Sequence, residues 1–372
     1  MRVDSTERLV SLDTLRGFDM FWIMGGKGVV SALAALTSWQ GFSWCLERME
    51  HPEWHGFEPW DLIFPLFLFI AGVSTPFSID NRQAKGDSRG KISRHIVYRG
   101  LVLVLLGMIY NGLLTMDWSD SSAWSNLRCP SVLGRIGLAY MFAALISMNT
   151  RLRGRVLWIA GLLLGYWAAL RWIPVPGFGA WDLSPGHTLT DYIDRQLLPG
   201  SLYRGDRDPE GLFATIPAIA TALFGVITGQ LLKRSDLGGY RKTLTMVAGG
   251  AACLGIAWLW SKDFPFNKNL WSSSFALHCA GLSLLLLSLF YLVIDVWRFR
   301  WGTIVFVVIG ANSILIYMAP RFMDFAFTTH GLFAGVSTLA GSFAPLLFAV
   351  AVLLIKWLML WLCYRKKIFL KV

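Results

Sequence analysis

Charge is what this sequence has least of. Only 15% of its 372 residues are Asp, Glu, Lys or Arg, where a soluble domain carries about a quarter. That deficit excludes an ordinary water-soluble globule. Several nucleotide and hydrolase signatures are missing too: there is no GxGxxG after a strand, no Walker A and no GxSxG. The five cysteines (Cys45, Cys129, Cys253, Cys279, Cys363) are dispersed, with no CxxC and no metal-ligand spacing, so no metal is expected. Cys45 and Cys129 both fall in loops placed outside, where a disulfide has weak support. His51 and His55 form an HxxxH pair, but Pro52 stands where a zincin has its glutamate. No 20–50-residue repeat is visible, which weighs against a transporter built from repeats. Nothing resembles a cleaved signal peptide.

Apolar length is what the sequence has most of. Hydrophobic residues make up 55% of it and the mean hydropathy is +0.52. Apolar runs of about 20 residues, separated by short basic loops, predict an all-α polytopic membrane bundle. We read one integral domain, 1–372, with ten spans. They are Leu9–Leu33, Asp61–Ile79, Ile96–Thr115, Ser131–Met148, Val156–Trp172, Leu212–Leu232, Leu244–Trp260, Trp271–Val293, Thr303–Ala319 and Phe343–Cys363. Gly331–Ala340 reads as a re-entrant turn or a prelude to the last span.

The net charge of +11 does not imply nucleic acid, because the basic residues flank apolar spans instead of sharing one soluble face. One set of loops holds 21 of the 34 Lys and Arg, among them Arg2, Arg8 and Lys371; the opposite set holds 9 and the spans hold 4. The positive-inside rule then places both termini in the cytoplasm, with His51 and the Pro/Gly/Asp-rich loop Ile173–Gly211 outside.

A charge at mid-span costs about 2.5–3.5 kcal/mol on insertion scales, so each needs a partner or a task. Asp13 and Arg16 stand i,i+3 and read as a structural pair. Asp19 shares their span, Arg135 opens the fourth span, Asn312 lies in the ninth, and Lys356 is near enough to the basic tail to snorkel. His278 reads as bundle glue.

The stretch around which the chain is organised is HPEWHGFEPWDLIFPLFLFIAGVS, His51 to Ser74. It delivers two histidines, Glu53, Glu58 and two tryptophans to the mouth of an apolar helix, with Asp61 at the lip. A neutral imidazole with a pKa near ~6.5 can take a proton at working pH, as a general base must. Spacing alone leaves His51 and His55 as equal candidates.

With RLVSLDTLRGFDMFWIM before it, this stretch resembles the heparan-alpha-glucosaminide N-acetyltransferase-like transmembrane acetyltransferases and their bacterial members. SVLGRIGLAY, DPEGLFATIPAIATALFGVITG, FPFNKNLWSSSFAL, GANSILIYM and the terminal YRKKIF continue the match in order, from Arg8 to Phe369. The resemblance implies an enzyme that moves an acetyl group from acetyl-CoA to the amine of a glucosamine-type sugar, in a bacterial inner membrane. It places the family's active-site histidine at His51, with Asp61 as its orienting partner. Candidates for the acceptor are Trp54, Glu58, Asp208 and Glu210; those for the acetyl-CoA cosubstrate are Arg135, Asn267, Asn269 and Asn312. The sequence departs from the family where a first-span asparagine is expected; here it reads Met24-Gly25-Gly26-Lys27. The partners implied are the amino sugar and the lipid bilayer; a homodimer is compatible with this reading. The alternatives are a transporter or flippase of a sugar or lipid-linked sugar, and a membrane O-acyltransferase acting on a surface glycan.

Overall fold

The computed structural model describes residues 9–37 and 39–370. Arg2, Arg8 and Lys371, three of the basic residues counted above, lie outside the described residues. Among those described, every extended regular element is a helix.

Among the described residues, eight helices are long and apolar enough to cross a membrane. A bent pair makes a ninth. In chain order the span-length elements are α1 (Val10–Leu36), α2 (Pro59–Ala84), α3 (Arg89–Tyr110), α4 (Val132–Asn149) and α5 (Leu152–Trp172). They continue with α6 (Thr215–Lys233), α7 (Gly239–Trp260), α8 (Ser273–Val296), the bent pair α9 (Thr303–Ala311 with Ser313–Phe322) and α10 (Gly341–Arg365). The helix α5 is 21 residues long but less apolar than the others, because Arg153, Arg155 and Arg171 lie within it. Large side chains such as Leu101, Leu157, Leu244 and Leu362 are exposed on these helices, the surface a lipid solvent asks for.

The expected and observed bounds differ where polar residues join a helix. The third span was expected to begin at Ile96; α3 begins at Arg89, because Ser88 caps it by accepting the Lys91 amide at 3.3 Å. Its basic first turns thus extend past the apolar stretch. The ninth span was expected unbroken to Ala319; it bends by 67° at Asn312. Gly331–Ala340, expected as a turn or prelude, lies mostly within a helix, Phe325–Leu339. All five cysteines are free, so Cys45 and Cys129 form no disulfide.

The chain forms two compact units. One holds the residues up to His51, Glu58–Ile63 and the residues from Leu286 onward. There α1 packs along Thr303–Ala311, with Phe18 edge-on to Phe306 at 5.8 Å. Asp13 and Arg16 bond at 3.2 Å, as the pairing predicts. The Asn312 side chain donates to the Ile368 carbonyl (2.9 Å) and accepts the Leu370 amide (3.0 Å), clamping the C-terminal tail.

The second unit holds Pro52–Phe57 and Phe64–Leu285. Its core includes α2 against α6, where a Cβ on Gly225 or Gly229 would strike the Phe69 or Val73 carbonyl. The glycines of this G-x-x-x-G let the two backbones touch, which is how helices associate where lipid removes the hydrophobic drive. At one end of this unit three loops gather. Trp54 donates its indole N–H to the Leu183 carbonyl at 2.7 Å, and Gly56 its amide to the Phe266 carbonyl at 2.8 Å.

Candidate active site

In the first unit the site begins with a proline. A residue before proline is forced into extended backbone, and Glu58 is (φ −117°, ψ 154°). Pro59 then opens a short 3₁₀ turn, Pro59–Leu62, at the first helical position. Glu58 and Asp61 form a reciprocal capping box: the Glu58 side chain takes the Asp61 amide, and Asp61 Oδ2 takes the Glu58 amide at 3.0 Å. The cap fixes the Asp61 carboxylate, which is fully buried.

Its other oxygen, Oδ1, lies 2.6 Å from His51 Nδ1. An ionised carboxylate only accepts hydrogen bonds, so the proton of a neutral His51 is on Nδ1 and the basic lone pair is on Nε2. The His51 side chain is 46% exposed. A buried carboxylate thus holds a half-exposed imidazole in one tautomer, with Nε2 left to take a proton.

His55 has a different environment in the second unit. Asn267 accepts the Leu270 amide on Oδ1 (2.9 Å), which turns its NH₂ group toward His55 Nδ1 at 3.3 Å. A donor there requires an acceptor on the ring, so a neutral His55 carries its proton on Nε2. Burial holds its pKa below the ordinary histidine value. The two histidines, equal by spacing, therefore differ in chemistry.

The other candidate residues fall into three groups. Glu58, besides capping, pairs with Arg48 at 2.6 Å. Trp54 packs against the cluster of Tyr166, Leu170, Val175, Leu189, Phe264 and Leu270, with Arg207 over its ring. Asp208 and Glu210 converge on Arg128. Asp208 accepts Arg128 Nε (2.7 Å), Arg128 Nη2 (2.6 Å), the Tyr203 amide (3.0 Å) and the Glu210 amide (2.9 Å). A carboxylate has about four lone-pair sites, so these bonds use all of Asp208. Glu210 also pairs with Arg128 and is the one of the two with acceptor capacity left. Neither opens a helix: α6 starts at Thr215, seven residues beyond Asp208.

Among the acetyl-CoA candidates, Asn312 spends its amide on the tail, and Asn267 spends its own on Leu270 and His55. Asn269 is half-buried in the same turn as Asn267. Arg135 is different. It is 1% exposed, donates Nη2 to the Gly211 carbonyl at 3.0 Å and lies over the Trp271 ring at 5.2 Å. Its Nε and Nη1 have no partner among the described residues. Leaving a buried donor unmet costs about 1–3 kcal/mol, more when charged, so this guanidinium suits an anionic or carbonyl guest.

The residue that sequence reasoning missed is Asp194, in the short helix Leu189–Leu197. Its Oδ1 takes the Leu212 and Phe213 amides at 2.8 and 3.2 Å, and a Cβ on Gly211 would collide with its carboxyl. Asp194 thus supplies the carboxylate at the turn that leads into α6. The only local signal was an acidic residue in a long polar loop. Burial pushes its carboxyl up to about 6, against the pull of the Phe213 amide and Arg135. An acid raised from 3.8 binds its proton more tightly folded than unfolded. Its stabilising contribution is therefore complete below about pH 4 and gone above about pH 6, a difference of about 3 kcal/mol. The melting midpoint of the parent in detergent should accordingly fall as pH rises from about 4 to about 6. That fall should be absent in Asp194→Asn, which keeps an oxygen for the two amides; identical profiles would refute the assignment.

No family model matches the chain. It is 27% identical over 425 aligned positions to heparan-alpha-glucosaminide N-acetyltransferase of Mus musculus, covering 100% of this chain and 61% of that protein. To the Homo sapiens protein of the same name it is 26% identical over 423 positions, covering 99% and 61%. The chain spans about three fifths of the length of these curated relatives. It is a distant relative of both.

Proposed function

We propose that this chain is a membrane-embedded acetyltransferase that moves the acetyl group of acetyl-CoA to the amine of a glucosamine-type sugar, with His51 at the reaction. The observation that carries the reading is the 2.6 Å bond between His51 Nδ1 and the buried Asp61 carboxylate. The relatedness to two N-acetyltransferases supports it.

A sugar amine is largely protonated near neutrality and must lose a proton before it attacks a thioester. His51 Nε2 takes that proton. The amine nitrogen bonds to the acetyl carbon, the carbon–sulfur bond breaks, the imidazolium gives its proton to the departing CoA thiolate, and the second proton that the nitrogen sheds as the amide forms is released to solvent. Asp61 stabilises the imidazolium throughout and acts as the positioning residue. If His51 attacks first, Nε2 bonds to the acetyl carbon as the CoA thiolate departs; the amine, deprotonated by solvent, then takes the acetyl group from Nε2 and restores the free imidazole. Within the second unit, the unpartnered donors of Arg135 and the remaining acceptor capacity of Glu210 make them the candidate groups for acetyl-CoA and for an ammonium.

The competing reading is transport of a sugar, favoured by the break in α9 at Asn312, since discontinuous helices build transport sites. Here the Asn312 amide is occupied by the chain's own tail. Purified protein given labelled acetyl-CoA and glucosamine should yield labelled N-acetylglucosamine. Accumulation of unmodified glucosamine in sealed proteoliposomes, with no acetylated product, would favour transport instead. Competition among acyl-CoAs and hydroxyl acceptors separates the O-acyltransferase reading.

The proposed orientation puts the termini in the cytoplasm of a bacterial inner membrane and the His51 loop outside. In intact cells, an impermeant thiol reagent should label a cysteine placed at Glu53 and spare one placed at Gln83. The reverse pattern would overturn the orientation and the idea of an external acceptor.

A further inference from the structure

This inference rests on the reading of His51 as the reacting base, and it concerns the position where the family asparagine is missing. The helix α1 passes through a π-turn, Trp22–Gly26, immediately before Lys27. A π-turn admits one extra residue and rotates all that follows by about 100° relative to an unbroken α-helix. It thereby sets the face on which Lys27 emerges. The Lys27 ammonium donates to the Met49 carbonyl at 2.9 Å and to Glu50 Oε1 at 2.6 Å. It also lies 5.3 Å from the centre of the Trp60 ring.

These contacts are placed pairwise on the site. Met49 and Glu50 directly precede His51, and Trp60 directly precedes Asp61. Arg48 ties the same two arms together, through its side chain to Glu58 (2.6 Å) and through its carbonyl to the Trp60 amide (3.4 Å). We propose that Lys27 is a positioning residue: it fixes the residues before His51 and before Asp61, and so sets the register of the imidazole on the carboxylate.

Stability is a poor explanation for the same contacts. The Lys27 and Glu50 side chains are 35% and 67% exposed, and an ion pair that open contributes about 0–1 kcal/mol. Directed bonds to a carbonyl and a carboxylate supply geometry instead, and a reacting constellation must be held within about 0.5 Å. The Lys27 ammonium also neutralises a carboxylate next to His51. It holds the Glu50 carboxyl below the usual carboxylate range, with a smaller pull from His51 itself.

The test compares kcat, KM and the pH profile of the full-length protein in detergent. Lys27→Met should lower kcat about tenfold while leaving KM for acetyl-CoA and glucosamine within about twofold, as expected for lost positioning without lost binding. Lys27→Arg, which can still donate to both acceptors, should retain most of the rate. The charged groups close to His51 in this unit include Asp61 and Glu50, with Lys27 paired to Glu50 and Arg48 to Glu58. With Lys27 gone, an unneutralised Glu50 favours the imidazolium, so the acid limb of kcat should move to higher pH. Lys27→Met/Glu50→Gln should move it back. A Lys27→Met protein with parental kcat and pH profile overturns the proposal, as does an equal loss in Lys27→Arg. Should Lys27→Met fail to fold, Glu50→Gln should still move the acid limb to lower pH, and an unmoved limb then overturns it. An active His51→Ala variant would instead overturn the underlying reading of the site, so the two failures are distinguishable.

Discussion

Asparagine in place of Asp61 should lower kcat by about 10²–10⁴-fold, with KM for either substrate little changed. Both Asp61 oxygens accept, one from His51 Nδ1 at 2.6 Å and the other from the Glu58 amide at 3.0 Å. Asparagine has one oxygen and one NH₂ group, so it can serve only one of these partners. If its oxygen keeps the cap, its NH₂ group faces His51, the ring proton moves to Nε2, and the base is gone. If its oxygen faces His51, the NH₂ group meets the Glu58 amide donor to donor, and the cap is lost at about 1 kcal/mol. The first arrangement keeps the fold and removes the chemistry, so the variant should melt near the parent. A rate within a few-fold of the parent would show that the tautomer of His51 does not matter.

Alanine in place of His51 should reduce acetyl transfer at least about a hundredfold, measured with glucosamine saturating. A covalent role for the imidazole would make the loss larger. The side chain is 46% exposed, so folding and acetyl-CoA binding should stay near normal. His55→Ala should do much less. The Asn267 amide donates to Nδ1 of that ring, which leaves its proton on Nε2. Comparable losses in the two variants would contradict the assignment of separate tautomers.

The membrane architecture was legible because lipid leaves a chain few choices: backbone groups must pair within each span, so apolar runs of about 20 residues become helices. Bounds failed where the chain leaves lipid. At α3 a serine cap and basic turns prolong the helix beyond the apolar run, and at Asn312 a side chain holding the distant tail marks the bend. The His51–Asp61 pair was legible because Asp61 lies in the same family-matched stretch as the histidine, HPEWHGFEPWD; the capping box that fixes its carboxylate shows only in the fold. What set His55 apart was not legible, since its partner Asn267 lies 212 residues away. Asp208 and Glu210 likewise looked available until Arg128, 80 residues upstream of Asp208, was seen to claim them. In the sequence Lys27 is only one of the basic residues within spans; its carbonyl, carboxylate and ring contacts depend on how the loop folds back beside the π-turn.

The central claim is that His51, held by Asp61, carries acetyl transfer to an amino sugar. Its most direct test is a single turnover of purified protein, parent and His51→Ala side by side, with labelled acetyl-CoA and saturating glucosamine. The reaction would be quenched in acid and the sugar product identified by mass. The account predicts one labelled acetyl group on the sugar nitrogen for the parent, and at least a hundredfold slower appearance for the variant. Equal rates in the two proteins would contradict it.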